Sequence, residues 1–466
     1  MTNEGNDARP FEAPRRVAVI AIVGRPNVGK STLFNRLVHA QRAIVDSRPG
    51  VTRDRNIAIA RWREREFLLV DTGGYEDAEG SSIAAAVRAQ SALAAEQADA
   101  VIAVFDGRAG LNPVDRELVV RLRRLRKPVL YAVNKLDTPT HDDEAAEFFA
   151  LGPSAVFPIA AAHGRGVDAL MEHLFELLPA APVPAVASEE TPVAETGATT
   201  SAVTLAIVGK PNVGKSSLLN RLVGSERAIV HATPGTTRDP VDTPCRYGER
   251  EYMLVDTAGI RHRPRVHEHI ERASAVRALK AIERAEVALV VMDATQAISD
   301  QDARIAGYAW ERGRALLFVV NKWDAVPKSE RSAARFVAEL HARYASFAHA
   351  PAVFVSARTG AGIAGIFPAV EELVAVHRQQ LRTVELNKVL ADATRAQAPP
   401  SVHGKRPRFY YAAQTATAPP TITIFASAPQ LLQVAYERYL ANAFRTAFRL
   451  HGTPLRLRFR ERERRQ

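Results

Sequence analysis

Residues 24–37 read GRPNVGKSTLFNRL, and residues 209–222 read GKPNVGKSSLLNRL. Each follows a short apolar run, VAVIAIV or TLAIV, and opens an amphipathic stretch. A GxxxxGK[ST] loop between a strand and a helix aims successive backbone N–H groups at one anion, so the chain must fold around a strand that delivers it. The repeat continues beyond this loop. PGVTRD (49–54) recurs as PGTTRD (234–239), DTGG (71–74) as DTAG (256–259), and NKLD (134–137) as NKWD (321–324). The first three pairs lie 185 residues apart and the last 187, so a domain of about 170 residues is duplicated.

Within each copy, apolar runs alternate with helical stretches: FLLVDT, AVIAVFD and VLYAVNK are answered by YMLVDT, VALVVMD and LLFVVNK. Strands apolar on both faces, alternating with helices, predict a mostly parallel sheet covered on both sides. The chain of 466 residues allows about three domains. The pattern places a polar extension at 1–16, one P-loop domain at 17–179, a Pro/Ala/Thr/Glu linker at 180–202, and a second P-loop domain at 203–378. A small α–β–β–α–β domain follows at 379–462, then a charged tail at 463–466. The polar N-terminal stretch lacks the apolar core of a signal peptide, and the run 17–23 is too short to span a bilayer. With one cysteine, Cys245, no disulfide framework forms, and a cytoplasmic, non-membrane protein is expected, as a monomer.

The motifs assign chemistry. In the two P-loops, Gly24, Arg25, Pro26, Asn27, Val28, Gly29, Lys30 and Ser31 answer Gly209, Lys210, Pro211, Asn212, Val213, Gly214, Lys215 and Ser216. The ammonium groups of Lys30 and Lys215 neutralise β- and γ-phosphates, and the hydroxyls of Ser31 and Ser216 ligate Mg²⁺. Asp71 and Asp256, at strand ends, reach the same ion through water. The residues that follow, Thr72, Gly73, Gly74 and Tyr75 in one copy and Thr257, Ala258, Gly259 and Ile260 in the other, bring the N–H of Gly74 or Gly259 to a γ-phosphate. The hydroxyl shared by both PGxTRD loops is Thr52 or Thr237, a switch residue that completes Mg²⁺ coordination when the γ-phosphate is present.

NKxD chooses the base. The carboxylates of Asp137 and Asp324 accept from N1–H and the 2-amino group of guanine, donors that adenine does not offer, so the ligand is GTP or GDP. Asn134 and Asn321 either reach the O6/N7 edge or tie the loop to the P-loop. The stems of Lys135 and Lys322 pack on the ring, beside Leu136 and Trp323. In the second copy VSARTG adds Ser356 and Ala357 near O6; in the first, Ala160 stands where Ser356 aligns, and a backbone contact from Ala161 survives.

The paired GxPNVGKS, PGxTRD, DTxG and NKxD motifs, with the tail PPTITIFASAPQLLQVAYERYLANAFRTAFRLHGTPLRLRFR, resemble the Der (EngA) GTPases over residues 17–462. The fold class is then α/β: two tandem P-loop GTPase (G) domains with mostly parallel sheets, plus a small α+β KH-like C-terminal domain. The resemblance implies GTP hydrolysis coupled to assembly of the large ribosomal subunit. Tyr75 and Ile260 stand where many switch GTPases place a water-orienting glutamine, and neither can act as one. The resemblance implies K⁺ in its stead, held by Asn27 and Asn212 between phosphate oxygens.

Charge adds a partner. Residues 378–466 hold 16 Lys and Arg against 5 Asp and Glu, a difference equal to the whole chain's net +11. Concentrated there, the excess points to a polyanion, RNA or a ribosome-like surface; the resemblance implies that this is rRNA of the large subunit, not DNA. The tail lacks a clear GxxG loop, HGKR at 403–406 being the nearest polar turn, which favours contact by the arginine face of LRLRFR. The stretches after DTxG differ: the first is acidic near its start, and the second carries Arg261, Arg263 and Arg265, expected to touch rRNA or an acidic neighbour. A rival reading is a nucleotide-gated RNA-binding module in which hydrolysis is incidental.

Overall fold

The computed structural model describes residues 17–39, 57–63, 65–72, 95–178, 202–224, 228–229, 242–257, 271–327, 332–344, 347–401 and 405–461. The chain divides into two compact units, one carrying the first G domain, the other the second G domain together with the tail.

The first G domain runs β1 (Ala18–Val23), α1 (Lys30–His39), β2 (Ile57–Trp62), β3 (Arg65–Asp71), β4 (Ala100–Asp106), α2 (Pro113–Arg123), β5 (Val129–Asn134), β6 (Val156–Pro158) and α3 (Val167–Leu177). Its sheet has the order β2-β3-β1-β4-β5-β6, parallel except where β2 pairs antiparallel with β3. Every residue of β4 is buried, as a strand covered by helices on both faces must be. Leu33, Phe34 and Leu37 of α1 and Leu170 and Leu174 of α3 close over Ile20, Ile22, Leu69 and Val104. The spacing of those leucines on each helix is what turns one apolar stripe to the sheet.

The second G domain repeats the plan: β7 (Val203–Val208), α4 (Lys215–Val223), β8 (Ala228–Ile229), β9 (Thr243–Tyr247), β10 (Arg250–Val255), α5 (Glu271–Arg284), β11 (Val287–Asp293), α6 (Asp300–Glu311), β12 (Ala315–Asn321), α7 (Ala333–Arg343), β13 (Ala352–Phe354) and α8 (Ile366–His377). Its seven strands lie in the order β13-β12-β11-β7-β10-β9-β8. In both sheets the P-loop leaves the central first strand, and the carboxyl ends of its neighbours surround it, the place where open α/β sheets bind ligands.

The tail folds as α9 (Thr383–Ala396), β14 (Phe409–Ala416), β15 (Thr421–Ala426), α10 (Val434–Ala447) and β16 (Arg456–Glu461). β14 runs antiparallel to β15, and β16 parallel to it. Leu386, Leu390, Ile422, Ile424, Leu440 and Phe444 form its core. This unit docks on the second G domain through buried polar contacts. The Leu316 N–H donates to the Gly452 carbonyl at 2.7 Å, and at the end of the second G domain Arg378, where the chain leaves for the tail, donates through Nε and Nη2 to both Glu286 oxygens at 2.6 Å. His377 Nδ1 and Thr453 Oγ1 share a 2.6 Å hydrogen bond. Gly452, at φ +61°, has no room for a side chain: a Cβ would stand 2.2 Å from Leu373 Cδ2.

Candidate nucleotide sites

Both P-loops are bent by the same residues. Asn27 and Asn212 adopt left-handed backbone at φ 62° and 61°, and Gly29 and Gly214 do so at 95° and 96°. A Cβ on either glycine would sit 2.2 Å from the Nδ2 of Asn134 or Asn321. Lys30 Nζ donates to the Arg25 carbonyl at 2.8 Å; Lys215 Nζ donates to the carbonyls of Gly209 at 2.8 Å and Lys210 at 2.5 Å. The ammonium thus lies across the mouth of each loop, where phosphate oxygens would take over its protons. Burial pulls the Lys215 ammonium down to about 8, below the usual lysine value.

The loops are anchored by a carboxylate that the motifs do not reveal. Arg25 Nε lies 3.2 Å from Asp115 Oδ1, and Lys210 Nζ lies 3.0 Å from Asp302 Oδ2. Asp115 also accepts the N–H of Asn112 at 3.1 Å, closing the capping box of α2; Asp302 does the same for Ser299 on α6. One buried side chain in each copy therefore both starts a helix and fixes the rim of the P-loop. Desolvation raises the Asp115 carboxyl above the usual range, with the Asn112 N–H and Arg25 opposing it. The sequence signal is the spacing NPVD and SDQD, a capping-box pattern beginning one residue before the helix.

Ser31 Oγ donates to Asp71 Oδ2 at 2.7 Å, and that carboxylate is fully buried at the last residue of β3. The carboxylate thus orients the hydroxyl that would ligate Mg²⁺ and stands close enough to hold a water of that ion. The second copy differs. Asp256 lies beyond the end of β10 at φ 56°, its N–H donating to Asp242 Oδ1 at 3.1 Å, and Asp242 is held in turn by Arg284. Thr72 Oγ1 donates to the Ile22 carbonyl at 2.9 Å, and Thr257 Oγ1 meets Thr243 Oγ1 at 2.6 Å. Thr52, Gly73, Gly74, Tyr75, Thr237, Ala258, Gly259 and Ile260, with Arg261, Arg263 and Arg265, lie outside the described residues.

The base-side loops converge on one asparagine per copy. Asn134 Nδ2 donates to the Val28 carbonyl at 2.8 Å, and its Oδ1 accepts the Ala161 N–H at 2.9 Å. Asn321 does the same with Val213 and Ala357, at 2.8 and 2.9 Å. Of the two roles open to this residue, the structure displays the tie to the P-loop. Lys135 and Lys322 pair through Nζ with Asp106 and Asp293, each at 2.6 Å, which stretches the aliphatic stem beside the motif.

The two NKxD carboxylates have unlike surroundings. Asp137 is met by Arg108 and, at 3.8 Å, by His163 Nε2. Asp324 is met by Arg358 at 2.5 Å, and the Ser356 hydroxyl, more than that guanidinium, holds its carboxyl below the usual range. Ala160 has no hydroxyl to offer Asp137, while the Ala161 amide occupies the place of Ala357. Arg108, His163 and Arg358 carry no motif of their own that marks them as partners of the aspartates.

A family model described as 50S ribosome-binding GTPase matches residues 19–135 and again 204–322. A second, described as the KH-domain-like C-terminal region of EngA bacterial GTPase enzymes, matches 380–460. GTPase Der of Syntrophotalea carbinolica is 46% identical over 451 residues, which are 97% of this chain and 100% of that protein. GTPase Der of Geotalea daltonii is 46% identical over 445 residues, covering 96% and 98% of the two chains. Among solved structures, Era in complex with MgGDPNP and part of 16S ribosomal RNA aligns with 58% of this chain and 87% of its own at 21% identity, with a TM-score of 0.30, too loose a match to carry anything further.

Proposed function

The chain belongs to the GTPase Der family, and on that premise we propose that it hydrolyses GTP in both pockets to drive a step in assembly of the large ribosomal subunit. The observation that supports two working sites is the asparagine junction, built alike in both copies with bonds matching to 0.1 Å. That junction fixes the P-loop against the loops that read the base, so phosphate grip and guanine selection are set by one buried side chain. The family description as ribosome-binding, and the basic tail, support the partner.

In this reading Lys30 and Lys215 exchange loop carbonyls for β- and γ-phosphate oxygens, and the left-handed turns at Asn27 and Asn212 leave the P-loop N–H groups facing the β-phosphate. Ser31 with Asp71, and Ser216 with Asp256, would hold Mg²⁺, with Thr52 and Thr237 completing the set. The ion supplies charge neutralisation between the phosphates. Water attacks the γ-phosphorus, the bond to the β-bridging oxygen breaks, and GDP and phosphate leave. The side-chain oxygens of Asn27 and Asn212 are assigned to K⁺. Among the described residues no helix is long and apolar enough to cross a membrane. A cytoplasmic monomer bound to rRNA is the working state.

Co-sedimentation with large subunits tests this reading, using a non-hydrolysable GTP analogue or GDP with wild type, Lys30→Ala and Lys215→Ala. Nucleotide-dependent binding that each variant disturbs is expected. Subunit binding that still depends on nucleotide yet is unaltered in variants whose turnover is abolished would favour the rival in which hydrolysis is incidental.

A further inference from the structure

The sheet of the tail has two faces. Ala412, Ile422, Ile424, Leu457 and Phe459 turn inward to the helices. The register places Tyr411 opposite Phe425 and Phe425 beside Arg460 on the other face, with Thr423 beside Arg458 in the next row. Between Phe409 and Tyr411 the pairing shifts, which leaves Tyr410 as the extra residue of a β-bulge. Bulges re-aim side chains, and here two successive tyrosines reach solvent: Tyr410 is 47% and Tyr411 41% exposed. The Tyr411 and Phe425 rings stack at 4.3 Å, 15° from parallel.

This face is open at one end only. At the other end Arg456 Nη2 donates to the Glu311 carbonyl at 3.2 Å, and Gly313 abuts Pro419, so the second G domain covers it. Around the open end Arg408, Arg458 and Arg460 are all exposed, with Lys405 and Arg406 on the chain entering β14. An exposed aromatic stack serving only the sheet would not need this rim of cations. An acidic protein surface would use the cations and leave the ring idle. A single-stranded nucleic acid uses both, since base faces stack on aromatic rings while phosphates meet the arginines.

We propose that the Tyr411–Phe425 stack is a base-stacking platform for single-stranded RNA, with Arg458 and Arg460 holding the adjoining phosphates. The proposal rests on the ribosomal reading above and names the surface that makes the contact. It places recognition on the sheet, which fits a tail without a clear GxxG loop.

The full chain is titrated with a labelled single-stranded RNA of mixed sequence and with a duplex of the same length. Tyr411→Ala is expected to weaken the single strand about five- to hundredfold, and Tyr411→Phe to bind as wild type, because the ring is what stacks. Arg458→Gln with Arg460→Gln should lower the slope of log K against log salt by about 1.4. GTP turnover of each variant reports the integrity of the fold. Wild-type affinity in Tyr411→Ala with turnover intact, or equal binding of the duplex, overturns the platform. Sedimentation with large subunits separates the two ideas. A wild type that ignores subunits but shows the ring dependence defeats the ribosomal reading alone, whereas one that sediments while Tyr411→Ala still binds RNA normally defeats the platform alone.

Discussion

Asn321 Nδ2 donates to the carbonyl of Val213, 108 residues earlier in the chain, across 2.8 Å. Because its Oδ1 also takes the Ala357 N–H, a side chain only 2% exposed satisfies two buried backbone groups in different loops. Removing it leaves both unpaired, at about 1–3 kcal/mol each. Asn321→Ala should therefore destabilise the second G domain by about 2–6 kcal/mol and abolish nucleotide binding there, leaving the first site intact. Differential scanning calorimetry with and without GDP, run beside Asn134→Ala, checks the symmetry.

Lys215 gives a pH signature. Its ammonium titrates at about 8 in the nucleotide-free protein because burial disfavours the charge. Phosphate binding needs the charged form, so affinity is full below that pH and falls about tenfold per unit above it. Folding runs the other way: with the folded value below the unfolded one of about 10.4, the empty protein gains stability as pH rises between them. GDP titrations of Lys30→Ala from pH 7 to 10 would read the second site alone.

His377 gives the opposite window, in acid. It is buried between the second G domain and the tail, and desolvation first, then Arg314, Arg378 and Arg456, push its imidazole down to about 3. The unfolded chain protonates near 6.5, so stability that is whole above that pH is lost as it falls toward 3. By pH 5 the loss reaches about 2 kcal/mol. His377→Gln should flatten the dependence of melting temperature between pH 7 and 5 while keeping a polar partner for Thr453.

The parallel sheets and the order of elements in the tail were legible because burial on both faces, or on one, leaves its period in the sequence. The phosphate and base loops were legible because each motif is local. What escaped was everything long-range. NPVD announces a helix start, but nothing local says that Asp115 also meets Arg25 ninety residues away. Arg108 and Arg358 reach equivalent aspartates from different loops, so the duplication gave no guide. The docking of Gly452 against Leu316 and Leu373 likewise needs the folded chain. The left-handed backbone of Asp256 and its bond to Asp242, itself paired with Arg284, carry no signal in the DTxG motif either.

If a carboxylate in each pocket selects guanine, displacement of labelled GDP will show that choice. GTP should displace the label from wild type and ATP should not. In the Asp137→Asn, Asp324→Asn double variant GTP should lose at least about a hundredfold. XTP should gain, because xanthine carries an acceptor where guanine carries the 2-amino donor. Equal displacement by ATP and GTP in wild type, or an unaltered preference for GTP in the double variant, would contradict it.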